Sequence, residues 1–158
     1  MKPPSAGSTA RRGARLPTAY YKPVADFRQA LREFLAFSDE GARSHGLTPQ
    51  QHQALLAIKS HLGPTAMSIS ELAERLMIKT HSAVGLVGRL VERDLVARRP
   101  SPEDRRRVLL ELRPHGEQVI ETITMSNLEQ LNRLAQILAE LLKTVRRIER
   151  DTTAKAWG

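Results

Sequence analysis

Apolar positions recur with helical spacing over most of this chain. Over residues 24–43, Val24, Phe27, Leu31, Phe34 and Leu35 return at the three- and four-residue steps of one helix face, and Gly46 closes the segment. "LTPQQHQALLAIKSHLGP" carries its own punctuation. Thr48 can cap, Pro49 suits the first helical position and Gln51 completes a capping box. Leu55, Ile58 and Leu62 form the stripe predicted to be buried, and Gly63 and Pro64 stop the helix. "MSISELAERLMI" repeats the device in a short helix, about residues 69–77. Ser68 caps, Glu71 sits three residues on, and Met67 and Leu72 occupy the two positions of a hydrophobic staple.

The next helix, about residues 80–93, reads "THSAVGLVGRLVER". Ala83, Val87 and Leu90, flanked by Leu86 and Val91, face inward, while His81, Ser82, Gly85, Gly88, Arg89 and Glu92 face outward. Each glycine costs a helix interior up to about 1 kcal/mol relative to alanine. On the outward face they weaken no core contact. They either lower the surface for close approach to another molecule or are tolerated surface positions.

The period then changes to two. Val108, Leu110 and Leu112 alternate, and Pro100, Ser101 and Pro102 mark a turn, which predicts a β-hairpin with a long, charged tip. Pro114 opens a last helical region to about residue 150. Its positions Leu131, Leu134, Leu138, Leu141, Val145 and Ile148 step by 3, 4, 3, 4 and 3, a heptad seam. The helix at residues 24–35 can cover that seam, from a second protomer or within one chain. Residues 1–19 hold three arginines and almost nothing to bury, and predict a disordered basic arm that is either inert or touches a polyanion. Residues 151–158, with the sole tryptophan Trp157, form a tail.

The order helix, helix, helix, strand, strand is that of a winged helix-turn-helix module. The fold class is therefore mainly α (α+β): a winged helix-turn-helix over residues 47–112, an N-terminal dimerisation helix over 20–46 and C-terminal dimerisation helices over 113–150. In such modules the last of the three helices enters the major groove of DNA.

Charge supports this. The 158 residues carry a net charge of +8, which favours a polyanionic partner. Between Lys79 and Arg107 eight Lys/Arg stand against four Asp/Glu, and Arg98, Arg99, Arg105, Arg106 and Arg107 cluster on the hairpin. Arginines on such a tip suit the strong negative potential of a narrow minor groove. Asp104 inside the run reads as a partner that holds an arginine. Aromatics at 4% argue against stacking on single strands. The absence of cysteine excludes thiol catalysis and thiolate metal sites. No apolar run is long enough to span a bilayer and no signal-peptide apolar region is visible, so a soluble cytoplasmic protein with no membrane partner is expected.

With these residues in place, "LTPQQHQALLAI", "SISELAERLMIKTHSAVGLVGRLVERDLV" and "DRRRVLLELRPHGEQVIE" resemble the MarR family of regulators, the multiple antibiotic resistance regulators. The last stretch is similar to the family's wing signature Asp-x-Arg, a strand and Leu-Thr-Pro-x-Gly. The flanking helices resemble its dimerisation arms, so the likeness covers nearly the whole chain. It implies a homodimeric transcription regulator, commonly a repressor, that binds a palindromic duplex operator and is released by a small phenolic or aromatic effector held between the dimerisation helices and the DNA-binding lobe. It also implies that Asp104 and Arg106 form the wing pair, with Arg106 in the minor groove, and that His81, Ser82, Gly85 and Arg89 face the major groove. The DNA-binding set expected is thus Thr80, His81, Ser82, Gly85, Gly88, Arg89, Arg98, Arg99, Asp104, Arg105, Arg106 and Arg107. The dimerisation set is Phe27, Leu31, Leu131, Leu134, Leu138, Leu141, Val145 and Ile148.

Three positions depart from the family pattern. Asp94 stands for the usual glycine after the recognition helix, Arg113 for the capping threonine after the wing, and Gly88 for a common acidic residue. Two half-sites read by one dimer would lie about 34 Å apart.

Three rival readings are weaker. An enzyme would need catalytic residues, a cofactor or a metal, and none is expected. The sequence has no phosphate-cradling loop, nucleophile elbow or HExxH, and its five histidines show no ligand spacing. Gly85-x-x-Gly88 resembles the GXXG clamp of RNA-binding KH domains but lies within a helical pattern. A winged-helix protein-interaction module without DNA binding is opposed by the hairpin arginines.

Overall fold

The structure, a computed structural model, describes residues 17–156. The expected basic arm therefore lies outside the described residues apart from its last three, and Trp157 lies outside them too. A 3-10 turn, Thr18–Tyr20, leads into α1 (Tyr21–Ser44). Then follow α2 (Pro49–Lys59), α3 (Ile69–Arg75), α4 (Thr80–Glu92), β1 (Val96–Pro100), β2 (Val108–Leu112), α5 (Pro114–Ser126) and α6 (Leu128–Ala156). The last helix thus runs beyond residue 150, into the stretch expected to be a tail.

Both capping boxes form. Thr48 Oγ1 accepts from the Gln51 N–H at 3.2 Å while Gln51 Oε1 accepts from the Thr48 N–H at 2.9 Å. Ser68 and Glu71 exchange the equivalent pair at 3.3 and 2.7 Å. Met67 and Leu72, the staple positions, are both buried. Helix α2 ends before the glycine and proline expected to stop it. Ser60 closes it, its hydroxyl donating to the Ala57 carbonyl at 3.4 Å. Leu62 then falls beyond the helix and is 97% exposed, so the expected stripe keeps Leu55 and Ile58 and loses Leu62.

The hairpin pairs antiparallel, Val96 opposite Leu112 and Pro100 opposite Val108. The stretch before α3 docks on its outer edge through a Ser68–Leu109 bridge and a Leu110 N–H to Met67 carbonyl bond of 2.8 Å. Both edges of β2 are therefore engaged, and on its two faces Leu109 is buried as well as Leu110. The core is aliphatic: Leu55, Leu72, Leu86, Val87, Leu90, Leu95 and Leu110 meet Ala42 of α1 and Ile120 and Ile123 of α5. Each such side chain, fully buried, contributes roughly 1.5–3 kcal/mol.

Beyond the hairpin the single helical region divides at Asn127. Three hydroxyls before the break turn back on the helix: Thr122 on the Gln118 carbonyl at 2.9 Å, Thr124 on Ile120 at 2.7 Å and Ser126 on Ile123 at 2.8 Å. Such back-bonding loosens and bends a helix. Asn127 is buried and its amide donates to Ser38 Oγ of α1 at 3.2 Å.

Helices α1 and α6 pack against each other antiparallel within one chain. Tyr20 bonds Asp151 at 2.6 Å at one end, and Glu33 pairs with Arg133 at 3.4 Å further along. The seam is thus covered from inside the protomer. It also splits in two. Leu134, Leu141 and Ile148, with Ile137, are half-buried, as are Phe27 and Leu31 of α1. Leu131, Leu138, Leu142 and Val145 remain exposed on α6, as do Val24 and Leu35 on α1. Helix geometry puts these two exposed stripes on one side of the α1–α6 pair. Lys22, Asp26, Glu33, Arg133 and Glu140 line the groove on the other side.

Two local features give tests of stability. Met77, between α3 and α4, has φ +54° and is 93% exposed. Its side chain buries nothing while its backbone sits in the left-handed region, which costs a non-glycine residue roughly 1–2 kcal/mol. Met77→Gly is expected to stabilise the protein by up to about 1 kcal/mol, after allowance for the freer unfolded chain, as a raised urea midpoint at constant m. His52 of α2 is buried, and desolvation holds its pKa below the ordinary 6.5, with the Asp39 carboxylate opposing. The unfolded chain therefore takes up the proton first as pH falls. Stability is expected to be constant above about pH 7 and to decline from about pH 6.5 downward. His52→Gln should remove that part of the slope in urea titrations at pH 7.5 and 5.5.

Candidate nucleic-acid interface

Helix α4 is anchored by Ala83, Leu86, Val87 and Leu90, all buried, with Leu86 as deep as the central stripe. Its opposite face is open. Thr80, His81 and Ser82 are exposed in the first turn and Arg89 in the last. Lys79 is the N-cap and makes no side-chain cap, so the partial positive charge of the helix start faces outward beside a lysine.

The two glycines on this face are not bare. An added Cβ at Gly85 would lie 3.7 Å from Arg89 Nη1, and one at Gly88 would lie 3.6 Å from Arg98 Nη2. Each glycine therefore has a guanidinium beside it, one from its own helix and one from β1.

The wing tip is built around Ser101, the buried residue of the loop. Its N–H donates to the Arg107 carbonyl at 2.9 Å, and its Oγ accepts from the Glu103 and Asp104 amides at 3.3 and 3.4 Å. Asp104 Oδ1 accepts from the Arg106 N–H at 2.9 Å, and the Arg107 N–H donates to the Asp104 carbonyl at 2.9 Å. The Asp104 carboxylate, expected to hold an arginine, binds the Arg106 backbone amide and, among the described residues, no arginine side chain. The wing pair fixes loop shape and leaves the Arg106 side chain exposed.

The five hairpin arginines divide into two groups. Arg99 pairs with Glu111 across the strands at 2.8 Å, Arg107 reaches Glu71 of α3 at 3.4 Å, and Arg98 Nη2 donates to the Val84 carbonyl of α4 at 3.2 Å. Among the described residues no carboxylate pairs with Arg105, Arg106 or Arg89, and all three are exposed. The tip thus offers two uncommitted guanidinium groups on a hairpin whose first strand reaches α4 through Arg98.

Several positioning contacts span sequence separations that no local pattern shows. Glu71 serves both the α3 cap and the wing. Its carboxyl is held below the ordinary carboxylate range, chiefly by the Ser68 hydroxyl and then by the Ser68 N–H; desolvation opposes them, and Arg107 and His61 add lesser lowering effects. Arg93, at the end of α4, donates to the Gly46 carbonyl at 2.6 Å. Asp94 takes the left-handed conformation, φ +54°, that the usual glycine would supply. Its carboxylate pairs with Arg113 Nε at 2.9 Å. Two of the three departures from the family pattern are therefore each other's partners. Arg113 itself provides no side-chain cap to α5.

A helix-turn-helix followed by a two-stranded wing, flanked by long helices, defines a winged-helix regulator. The chain belongs to the MarR family, whose sequence profile matches residues 45–107. It is 30% identical over 112 residues to the uncharacterized HTH-type transcriptional regulator YsmB of Bacillus subtilis, a match covering 68% of this chain and 75% of that one. It is 29% identical over 101 residues to the HTH-type transcriptional repressor MdtR of the same organism, covering 64% of this chain and 63% of that protein. The fold is shared with Staphylococcus aureus MepR in its DNA complex, at a TM-score of 0.63 and 18% identity, covering 90% of this chain and 99% of MepR.

Proposed function

We propose that this protein is a homodimeric repressor that reads a palindromic operator in duplex DNA. One observation carries the reading: the exposed Thr80–His81–Ser82 turn and Arg89 of α4 stand beside a wing whose Arg105 and Arg106 have no ion-pair partner among the described residues. The helix start and α4 side chains enter the major groove, the tip guanidinium groups enter the adjacent minor groove, and Lys79 meets phosphate. Family membership and the likeness to the DNA-bound MepR fold support this arrangement.

The dimer forms through the exposed stripe Leu131, Leu138, Leu142 and Val145 of α6 with Val24 and Leu35 of α1. An effector, a small phenolic or aromatic molecule, enters the cleft of about 500 Å³ bordered by His61, the 63–66 loop, β2 and α5, where Lys59 pairs with Glu117. It releases DNA only as far as it binds the free conformation more tightly. The protein acts in the cytoplasm and catalyses no reaction. Among the described residues no helix is long and apolar enough to cross a membrane.

Selection of genomic fragments by the purified protein, followed by gel shift and sedimentation, tests the reading. A two-fold symmetric site bound by a dimer is the result expected. A monomer that binds no duplex at low ionic strength overturns it.

A further inference from the structure

We infer that Arg98 is a positioning residue that ties the wing to the recognition helix, with Gly88 as its seat, rather than a group that contacts DNA. This rests on the functional reading above for its consequence, and on the free protein's geometry for its substance.

Arg98 lies in the middle of β1, opposite Leu110. Its side chain crosses from the wing to α4, where Nη2 donates to the Val84 carbonyl at 3.2 Å. That carbonyl belongs to the helix interior and is already the acceptor position for the Gly88 N–H, four residues on. A helical carbonyl is ordinarily screened by the side chain one turn ahead. At residue 88 there is none, and a Cβ built there already touches Arg98 Nη2 at 3.6 Å. Alanine would just fit. A longer side chain would take the place of the guanidinium. The glycine that weakens the helix by propensity thus opens the second lone pair of Val84 to a charged donor.

The contact anchors the β1 side of the wing to α4, as the Ser68–Leu109 bridge and the Leu110 N–H to Met67 carbonyl bond anchor its β2 side. Beyond β1 the tip is held mainly by its own loop bonds around Ser101 and Asp104 and, at its far side, by Arg107 on Glu71. Arg98 and Arg107 therefore hold the two strands of the wing to two different helices, α4 and α3. Arg89 beside Gly85 makes no such bond among the described residues, and stays available to a ligand.

The test compares Arg98→Ala and Gly88→Leu with the wild-type protein, by amide hydrogen exchange without DNA and by operator affinity across a salt series. Both variants are expected to speed exchange at residues 99–107 in the free protein and to weaken operator binding about fivefold, equivalent to about 1 kcal/mol. Arg98→Ala made in the Gly88→Leu background should add little, because the seat is already gone. Unchanged exchange in both variants overturns the inference, whatever the affinity does. So does additivity of the two substitutions with a salt slope lowered by about 0.9 for Arg98→Ala alone, the sign of one lost phosphate contact. A wild-type protein that binds no duplex would remove the DNA reading, while the exchange measurement would still decide the role of Arg98.

Discussion

Gly116→Ala is expected to destabilise the protein by about 3 kcal/mol or more, among the largest effects of any single methyl group added to this chain. Gly116 is buried in the first turn of α5. A Cβ there would lie 2.1 Å from the Leu95 carbonyl oxygen and 3.0 Å from its carbon. Both are backbone atoms, so no rotamer change relieves the overlap. The same oxygen accepts the Arg113 N–H at 2.9 Å, so moving it away breaks the bond that seats the start of α5 on the connection between α4 and β1. Leu95 is buried in the core, which removes the other escape. The helical backbone at residue 116 tolerates alanine by itself, so the loss measures close packing and not conformation. Urea unfolding followed by circular dichroism checks it. A midpoint within error of wild type would show that α5 can shift freely on Leu95.

The second large effect lies at the wing tip. Arg105→Ala with Arg106→Ala is expected to weaken operator binding roughly ten- to a hundredfold and to lower the slope of log affinity against log salt by about 1.8, the value for two lost contacts. Neither guanidinium has an ion-pair partner among the described residues, so stability should move by less than about 0.5 kcal/mol. Arg99→Ala is the control within the same hairpin. Its guanidinium is committed to Glu111, and its removal should shift the slope less. Equal slopes for the double variant and wild type would place the tip away from the DNA.

Much of this was legible in the sequence because its signals are local. A cap, a staple and a change of period each occupy a dozen residues or fewer. Thr48–Gln51 and Ser68–Glu71 therefore announced α2 and α3, and the alternation at Val108 announced β2. The faces of α4 were readable too, except that Val91, expected to flank the inward stripe, is exposed. What pattern alone could not resolve was competition for the same group. Five arginines on a hairpin look alike until Glu71, Glu111 and the Val84 carbonyl each claim one. The seam of α6 hid a similar ambiguity, since steps of 3 and 4 do not say which of two adjoining stripes a neighbouring helix covers. The break at Asn127 lay in hydroxyl back-bonds that carry no change of period. Asp94 and Arg113, read singly, looked like two lost features, and only their 2.9 Å contact makes them one compensated change.

The aliphatic core does not stop at the ends of the winged module. Ala42, Ile120 and Ile123 complete it from helices on either side. A fragment cut at residues 47 and 112 would carry the reading head yet leave Leu55, Leu90 and Leu95 open to water along one flank. The head is therefore no cassette to be excised and grafted. Any chimera that borrows it has to inherit parts of α1 and α5 as well, since their side chains close the flank of the head.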